Sequence, residues 1–345
     1  MPASPGALRF NTDSNKLELY DGNQWTEIVA SSPDSQTGGA RGVFGGGWLN
    51  PGTTNVIEYI TISTTGNSID FGDLTVNRYN GCACASSTRG LFASGRSDPS
   101  ATFFNTIDFI TISSTGNATD GPDLSNPLSG VESVSNSTRG VFAGGYSPSI
   151  PNTNVIEYVT IGSLGNAVDF GDLSFARMNT RGSSNATRGI FSGTASPANS
   201  NVIDFITIST TGNAADFGDL LSVAKLSSSG NASNSTRGLY AGTLALGSPT
   251  NVTTNTIQYV TFASLGNAID FGDQSVQRNS LAAMGSSTRA VFAGGQPTPA
   301  FSGNSNVIDY VTIMSLGNAI DFGDLTTNSG GAELTTGLSN AHGGL

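Results

Sequence analysis

The chain has 345 residues, of which only 11% are charged, with 45 glycines and a formal net charge of −11. Its lysines are Lys16 and Lys225 alone, so no basic stripe exists to track a phosphate backbone, and nucleic acid drops out as a partner class. No stretch approaches the roughly 18 apolar residues of a membrane span, no basic segment leads into an apolar core as in a signal peptide, and Cys82 and Cys84 form neither a disulfide framework nor a C-x-x-C metal pattern.

Residues 7–10, 17–20 and 24–28 are predicted as three short strands. The turn-rich run 11–16 and Asp21-Gly22-Asn23 separate them. About 25 residues cannot bury a self-sufficient core, so this module (1–30) must pack on the main domain, on a sister chain or on another protein. The order Leu8-Arg9-Phe10-Asn11-Thr12 followed by Tyr20-Asp21-Gly22-Asn23-Gln24-Trp25 resembles a small β module of bacteriophage tail-fibre and appendage proteins. Residues 31–39 read as a polar linker.

From residue 40 onward one pattern recurs. An aromatic closes its first block at Phe44, Phe92, Phe142, Phe191, Tyr240 and Phe292, in steps of 48, 50, 49, 49 and 52 residues. A period near 50 marks a repeat architecture. In the second copy, residues 79–86, 91–93, 106–113 and 118–124 are the four predicted strands. Four short strands per repeat, separated by Gly and Asn turns, predict an all-β fold: a six-bladed β-propeller of four-stranded antiparallel blades over 40–345. The first copy starts at its second strand, Arg41-Gly42-Val43-Phe44. The final residues, Gly337-Leu338-Ser339-Asn340, align with Gly182-Ser183-Ser184-Asn185, a first strand and its turn. The C-terminal strand is therefore expected to join the first blade and close the ring, which removes exposed edges.

The pattern is similar to kelch-type propellers. Glycine pairs end the second strand at Gly45-Gly46, Gly144-Gly145 and Gly294-Gly295. An acid precedes an aromatic in the third (Glu58-Tyr59, Asp108-Phe109, Glu157-Tyr158, Asp204-Phe205, Asp309-Tyr310). Arg78, Arg177 and Arg278 precede the first. The fourth strand departs, with Phe71, Phe170, Phe217, Phe271 and Phe322 where that family has Trp, and with Gly121-Pro122 in the second copy.

The turns after the first and third strands are nearly constant, whereas the loops after the second strand share little beyond Pro, Ser and Asn. Loops on a rigid scaffold carry binding. The variable face is thus the candidate binding face, with Trp48, Arg96, Phe103, Phe104, Tyr146 and Phe301 as contact residues. Arg41, Arg89, Arg139, Arg188, Arg237 and Arg289 lie on the uniform face. They are expected to be architectural, each pairing with a repeated acid such as Asp73 or Glu58. Repeated Asp-Phe-Gly-Asp lacks the nucleotide loop of a kinase and could bind Ca²⁺ only if carbonyls completed the shell. No metal and no cofactor is expected. His342 is the only histidine and nothing singles out a serine beside it, so no enzyme activity is expected.

Together with the N-terminal resemblance, this implies a bacteriophage virion protein: a tail fibre or appendage presenting a propeller for attachment to a host-surface glycan. The 1–30 module would anchor it to other virion proteins, in a homo-oligomer, by analogy a trimer. A capsid or baseplate decoration protein, or a glycan-degrading propeller enzyme, are the alternatives.

Overall fold

The computed structural model describes residues 4–11, 16–27, 40–49, 52–194, 196–222, 224–225, 231–242, 244–245, 252–297, 304–325 and 336–345. The chain divides into two compact units, Met1–Thr37 and Gly38–Leu345. No helix occurs among the described residues.

In the first unit, Leu8–Asn11, Lys16–Tyr20 and Trp25–Glu27 form a three-stranded antiparallel sheet. Asp21 makes the hairpin turn, its carboxylate accepting the N–H groups of Asn23 and Gln24 at 2.7 and 2.8 Å. Those bonds hold its carboxyl below the ordinary aspartate range. Arg9 stacks over Trp25 at 4.2 Å and pairs with Glu18 at 2.7 Å. Leu8 and Phe10 stay exposed.

In the second unit, four-stranded antiparallel sheets repeat. The first comprises Thr336–Ser339, Arg41–Gly45, Val56–Thr61 and Ile69–Asp73. The second comprises Cys82–Ala85, Arg89–Ala93, Thr102–Thr111 and Thr119–Leu128, and Arg96–Ser97 adds a short fifth strand. The third holds Glu132–Ser135, Arg139–Ala143, Val155–Thr160 and Val168–Asp172. The fourth holds Arg181–Ser184, Arg188–Thr194, Ser200–Thr207 and Ala215–Asp219. The fifth holds Asn231–Ser233, Arg237–Tyr240, Thr256–Thr261 and Ile269–Asp273. The sixth holds Ala282–Gly285, Arg289–Ala293, Val307–Thr312 and Ile320–Asp324. Strand order follows the sequence reading, but in the second sheet the bounds shift: the third strand begins earlier, at Thr102, and the fourth runs on to Leu128. The first strand of the second sheet begins at Cys82, because Tyr79 bridges to Arg96 instead.

The alignment of the last residues with an internal first strand also holds in the pairing. Leu338 lies opposite Val43 and Ser339 opposite Gly42. Asn340 Oδ1 accepts the Arg41 N–H at 2.8 Å, the bond that Asn185 makes to Arg188 at 2.7 Å inside a continuous turn.

Neighbouring sheets share their cores. Val134, Val141, Ile156 and Phe170 of the third pack with Phe191, Ile206 and Ile208 of the fourth. On the fourth strand, Phe71, Phe170, Phe217, Phe271 and Phe322 are buried, each edge-on to the third-strand aromatic 5.8–6.0 Å away.

The sheets are joined by a repeated clasp. The Gly-Asn turn of one sheet docks on the fourth strand of the sheet before it. At Gly116-Asn117, the Gly116 N–H reaches Phe71 O at 2.7 Å and the Ala118 N–H reaches Asp73 O at 2.8 Å. Asn117 Oδ1 accepts the Asp73 N–H at 3.1 Å. The Gly of Asp-Phe-Gly-Asp is thereby explained. Gly72 has φ +146°, and a Cβ there would sit 2.5 Å from the Gly116 backbone. These motifs are the seats of the clasps. The second sheet carries Gly121-Pro122 at this point, and its clasp keeps only the Ala167–Asp123 and Asp123–Asn166 bonds. The docking turn adapts, with Leu164 at φ 53°.

The arginines of the uniform face are architectural, but their partners are not acids. Each Nη1 donates to a carbonyl on the next sheet: Arg41 to Ile112 (2.9 Å), Arg89 to Ile161 (2.6 Å), Arg139 to Ile208 (3.0 Å), Arg188 to Phe262, Arg237 to Ile313 (2.9 Å) and Arg289 to Ile62 (3.0 Å). Each guanidinium also stacks on the third-strand aromatic of its own sheet, as Arg139 does on Tyr158 at 4.5 Å. The acid of the third strand is instead taken by the other arginines. Arg78 meets Asp108 at 2.9 Å, Arg177 meets Asp204 at 2.9 Å and Arg278 meets Asp309 at 2.5 Å, all buried. Desolvation lowers all three arginine pKa values and the aspartates oppose it.

Gly66 and Gly72 both have positive φ, but only Gly72 faces backbone. Gly66→Ala should cost about 1 kcal/mol and Gly72→Ala about 2–3 kcal/mol more, read from urea unfolding. Arg177→Leu strands a buried Asp204 and should cost about 3–5 kcal/mol. Adding Asp204→Asn, which removes the stranded charge, should recover part of it in the same assay.

Candidate functional site

Two places in the second unit gather polar chemistry. The first is a cavity of about 50 Å³ lined by first-strand residues of all six sheets, among them Cys84, Ser135, Ser184, Ser233, Met284 and Leu338. First strands of neighbouring sheets touch here, and Thr336–Ser339 touches both Ala282–Gly285 and Cys82–Ala85. Side chains at this level must be small, which is why Ala, Ser and Gly prevail. Serine hydroxyls link strand to strand: Ser135 to Ala85 O (2.9 Å), Ser184 to Ser135 O (2.8 Å), Ser233 to Ser184 O (2.8 Å) and Ser339 to Gly285 O. Cys82 and Cys84 are free and buried, and desolvation pushes the Cys84 thiol up to about 12, so neither is a nucleophile at neutral pH.

His342 stands at one end of this cavity. Its Nε2 lies 2.8 Å from Ala85 O and its Nδ1 accepts the Gly344 N–H at 3.0 Å. These partners fix the neutral tautomer with the proton on Nε2. Burial lowers its pKa and the Ala85 bond opposes that shift. Glu132 belongs to the same first-strand layer. Part of the residue remains accessible, yet desolvation dominates and raises its carboxyl from 4.5 to about 8, against the Ser133 N–H and Arg181. Arg181 is fully buried and donates to Gly242 O at 3.0 Å.

The second place is the variable-loop face around the second and third sheets. Arg96 pairs with Phe103 across a short hairpin. Arg96 Nε donates to Tyr79 Oη at 2.5 Å, and Tyr79 Oη donates to Asp98 at 2.8 Å. Burial, then the Asp98 bond, raises the phenol pKa and keeps it a donor. Phe103 meets Tyr146 of the third sheet edge-on at 6.1 Å. The Tyr146 backbone exchanges hydrogen bonds with Ser129, whose Oγ accepts Asn80 Nδ2 at 3.0 Å.

Of the residues expected on this face, Arg96, Phe103 and Tyr146 come together in one cluster. Phe104 lies on the same hairpin but packs against the buried Arg78, 5.7 Å away. Trp48 stands apart on a Trp48–Leu49/Gly52–Thr53 hairpin, where its carbonyl accepts Asn304 Nδ2 at 3.3 Å. Phe301 lies outside the described residues. Tyr79 and Asp98 were missed by sequence reasoning. Their only signal is that they interrupt the repeat, since the positions matching Tyr79 are Ser129, Met178 and Asn279. Among the described residues no group of three or more His, Cys, Asp or Glu is arranged to hold a metal ion. No protein-family model matches the sequence, and no curated protein matches it.

The two titrating groups pull stability in opposite directions. A carboxyl raised in the fold stabilises fully below its unfolded pKa of 4.5, and that contribution is lost as pH rises through about 8. A histidine lowered in the fold stabilises above its unfolded value of 6.5 and loses that contribution as pH falls below it. Glu132→Gln should flatten the alkaline limb of the stability profile and His342→Gln the acid limb, each measured by urea unfolding from pH 4 to 9.

Proposed function

We propose that residues 40–345 form a six-bladed, kelch-like β-propeller whose ring is closed by Thr336–Ser339. The six sheets would be the blades, the clasps their joints and the serine-lined cavity the axis. We further propose that the protein is a bacteriophage virion component, a tail fibre or appendage that attaches to a host-surface glycan through its variable-loop face. The N-terminal module would anchor it to other virion proteins in a homo-oligomer, with a trimer as the working stoichiometry.

The observation that carries the binding role is the Asp98–Tyr79–Arg96 relay beside the Phe103–Tyr146 pair. Sugars are recognised by aromatic surface for their C–H faces together with a few fixed donors and acceptors for their hydroxyls. This cluster supplies both, on a scaffold held by six sheets. The virion role is supported by the resemblance of residues 6–25 and by a small sheet that leaves Leu8 and Phe10 exposed, as an anchor requires.

Deleting residues 331–345 should lower the melting temperature by many degrees, because it unpairs Arg41–Gly45 and opens the axis. An unchanged melting temperature would contradict closure. On a glycan array the full chain should bind a host polysaccharide, and Phe103→Ala with Tyr146→Ala should abolish the signal while the chain still unfolds cooperatively, with a melting temperature lowered by only a few degrees. Release of reducing ends from that polysaccharide would instead favour an enzyme. Peptide mass spectrometry of purified particles, with immunogold labelling, should place the protein on the tail; labelling on the head would favour decoration.

A further inference from the structure

The repeats allow one sheet to be compared with another, and the comparison draws attention to Glu157; Glu58 of the first sheet is likewise a buried glutamate. In the second, fourth and sixth sheets the third-strand acid is Asp, and Arg78, Arg177 or Arg278 meets it. The guanidinium is also held by backbone carbonyls. Arg78 donates to Ser94 O and Thr106 O at 3.1 and 3.0 Å. Arg177 donates to Phe191 O at 3.3 Å and Arg278 to Phe292 O at 3.1 Å. A link residue donates to the same carboxylate through its N–H and hydroxyl: Thr75, Ser174 and Ser275.

The third sheet keeps every part of this arrangement except the cation. Ser125 donates its N–H and hydroxyl to Glu157 at 2.9 and 2.8 Å. Glu157 is 7% exposed. The position of Arg78 is taken by Leu128, and among the described residues no cation pairs with Glu157. The fifth sheet also lacks the arginine, with Ala224 at that position. There the acid has gone too: Gln258 stands in its place and accepts the Leu221 N–H at 2.9 Å. The third sheet therefore retains a buried carboxylate where the fifth has a neutral amide.

A cavity of about 20 Å³ lies against that carboxylate. Its lining includes Glu157, Phe142, Gly144 and Val155, the counterparts of the residues that hold the guanidinium in the other sheets, and Leu128 itself. The exposed Asn126 and Val155 also line it, so it communicates with solvent. A space of this size accepts one water-sized particle. The cavity holds a single carboxylate, whose one negative charge a monovalent cation neutralises, whereas a divalent ion would leave a buried positive charge unpaired. A buried carboxylate without a counter-charge is costly.

We propose that the Glu157 cavity is a binding site for a water-sized monovalent cation, an ammonium group or a potassium ion, seated where the neighbouring sheets place an arginine guanidinium. Such an occupant would complete the third sheet's core as Arg78, Arg177 and Arg278 complete theirs.

The test is thermal unfolding of the full chain in potassium, ammonium, n-butylammonium and tetramethylammonium chlorides at equal ionic strength. The wild type should show a saturable rise in melting temperature of about 2 °C or more over tetramethylammonium, which is too large for the cavity. A rise with potassium or ammonium identifies a free ion. A rise confined to n-butylammonium identifies an amino group at the end of a chain, as on a lysine or an amine-bearing ligand. Glu157→Gln, which copies the Gln258 arrangement and so should fold, must lose the rise. Leu128→Arg with Glu157→Asp, which rebuilds the pair of the other sheets, must lose it as well. Equal responses to all four salts, or a rise that survives in Glu157→Gln, would overturn the site.

Discussion

The second unit depends on the docking of each Gly-Asn turn onto the fourth strand of the preceding sheet. A four-stranded sheet standing alone would expose both faces and its outer edge. The clasp answers the edge with backbone bonds such as Gly116–Phe71 and Ala118–Asp73, and it fixes the spacing at which the faces meet. The apolar clusters that span neighbouring sheets, such as Val134 with Phe191, fill the space so defined. Each bond is worth only about 1 kcal/mol net. Their effect comes from repetition, and from a glycine at the seat that lets two backbones approach where a side chain could not.

Two classes of arginine act on this frame in different ways. Those of the constant turns, such as Arg139, reach across to the next sheet and lie on an aromatic ring of their own. They stay partly exposed, so they strengthen a joint at a smaller desolvation cost. Those of the links, such as Arg177, are buried against an aspartate. A buried ion pair is weak evidence of net stability, but removing one partner is costly. The link arginines and third-strand acids therefore vary together between repeats: Asp with Arg78, Arg177 and Arg278, and a longer Glu157 or Gln258 where the arginine is missing.

Much of the fold was legible because strand, turn and period are local signals, and six copies average out their noise. The strand order and the pairing of residues 336–339 with 41–45 both followed from the phase of the repeat. The partners of the constant arginines were not legible. Arg41 was expected to take an acid, and it takes the Ile112 carbonyl, an acceptor that no side-chain pattern advertises. The loops after the second strand disagree between copies, so no period predicts their contacts. Arg96, Phe103 and Tyr146 cluster, and Tyr79 and Asp98 join them from positions with no periodic counterpart. The serine belt escaped notice because Ser is common throughout the chain, and only the packing of six first strands gives these hydroxyls a shared purpose.

The pairing of Leu338 with Val43 carries a consequence for biosynthesis. Each of the other sheets draws its strands from one contiguous stretch of chain, so it can form soon after that stretch leaves the ribosome. The sheet that holds Arg41–Gly45 is begun earliest and finished last, when residues 336–339 arrive. Until then its second strand has a bare inner edge, and the nascent protein carries that liability through most of its synthesis. Loop closure over such a distance adds little thermodynamic cost, because the penalty grows only with the logarithm of length, but it is slow to find. A ribosome that stalls before residues 336–339 leaves Arg41–Gly45 without its partner strand, an unpaired edge open to association with other chains.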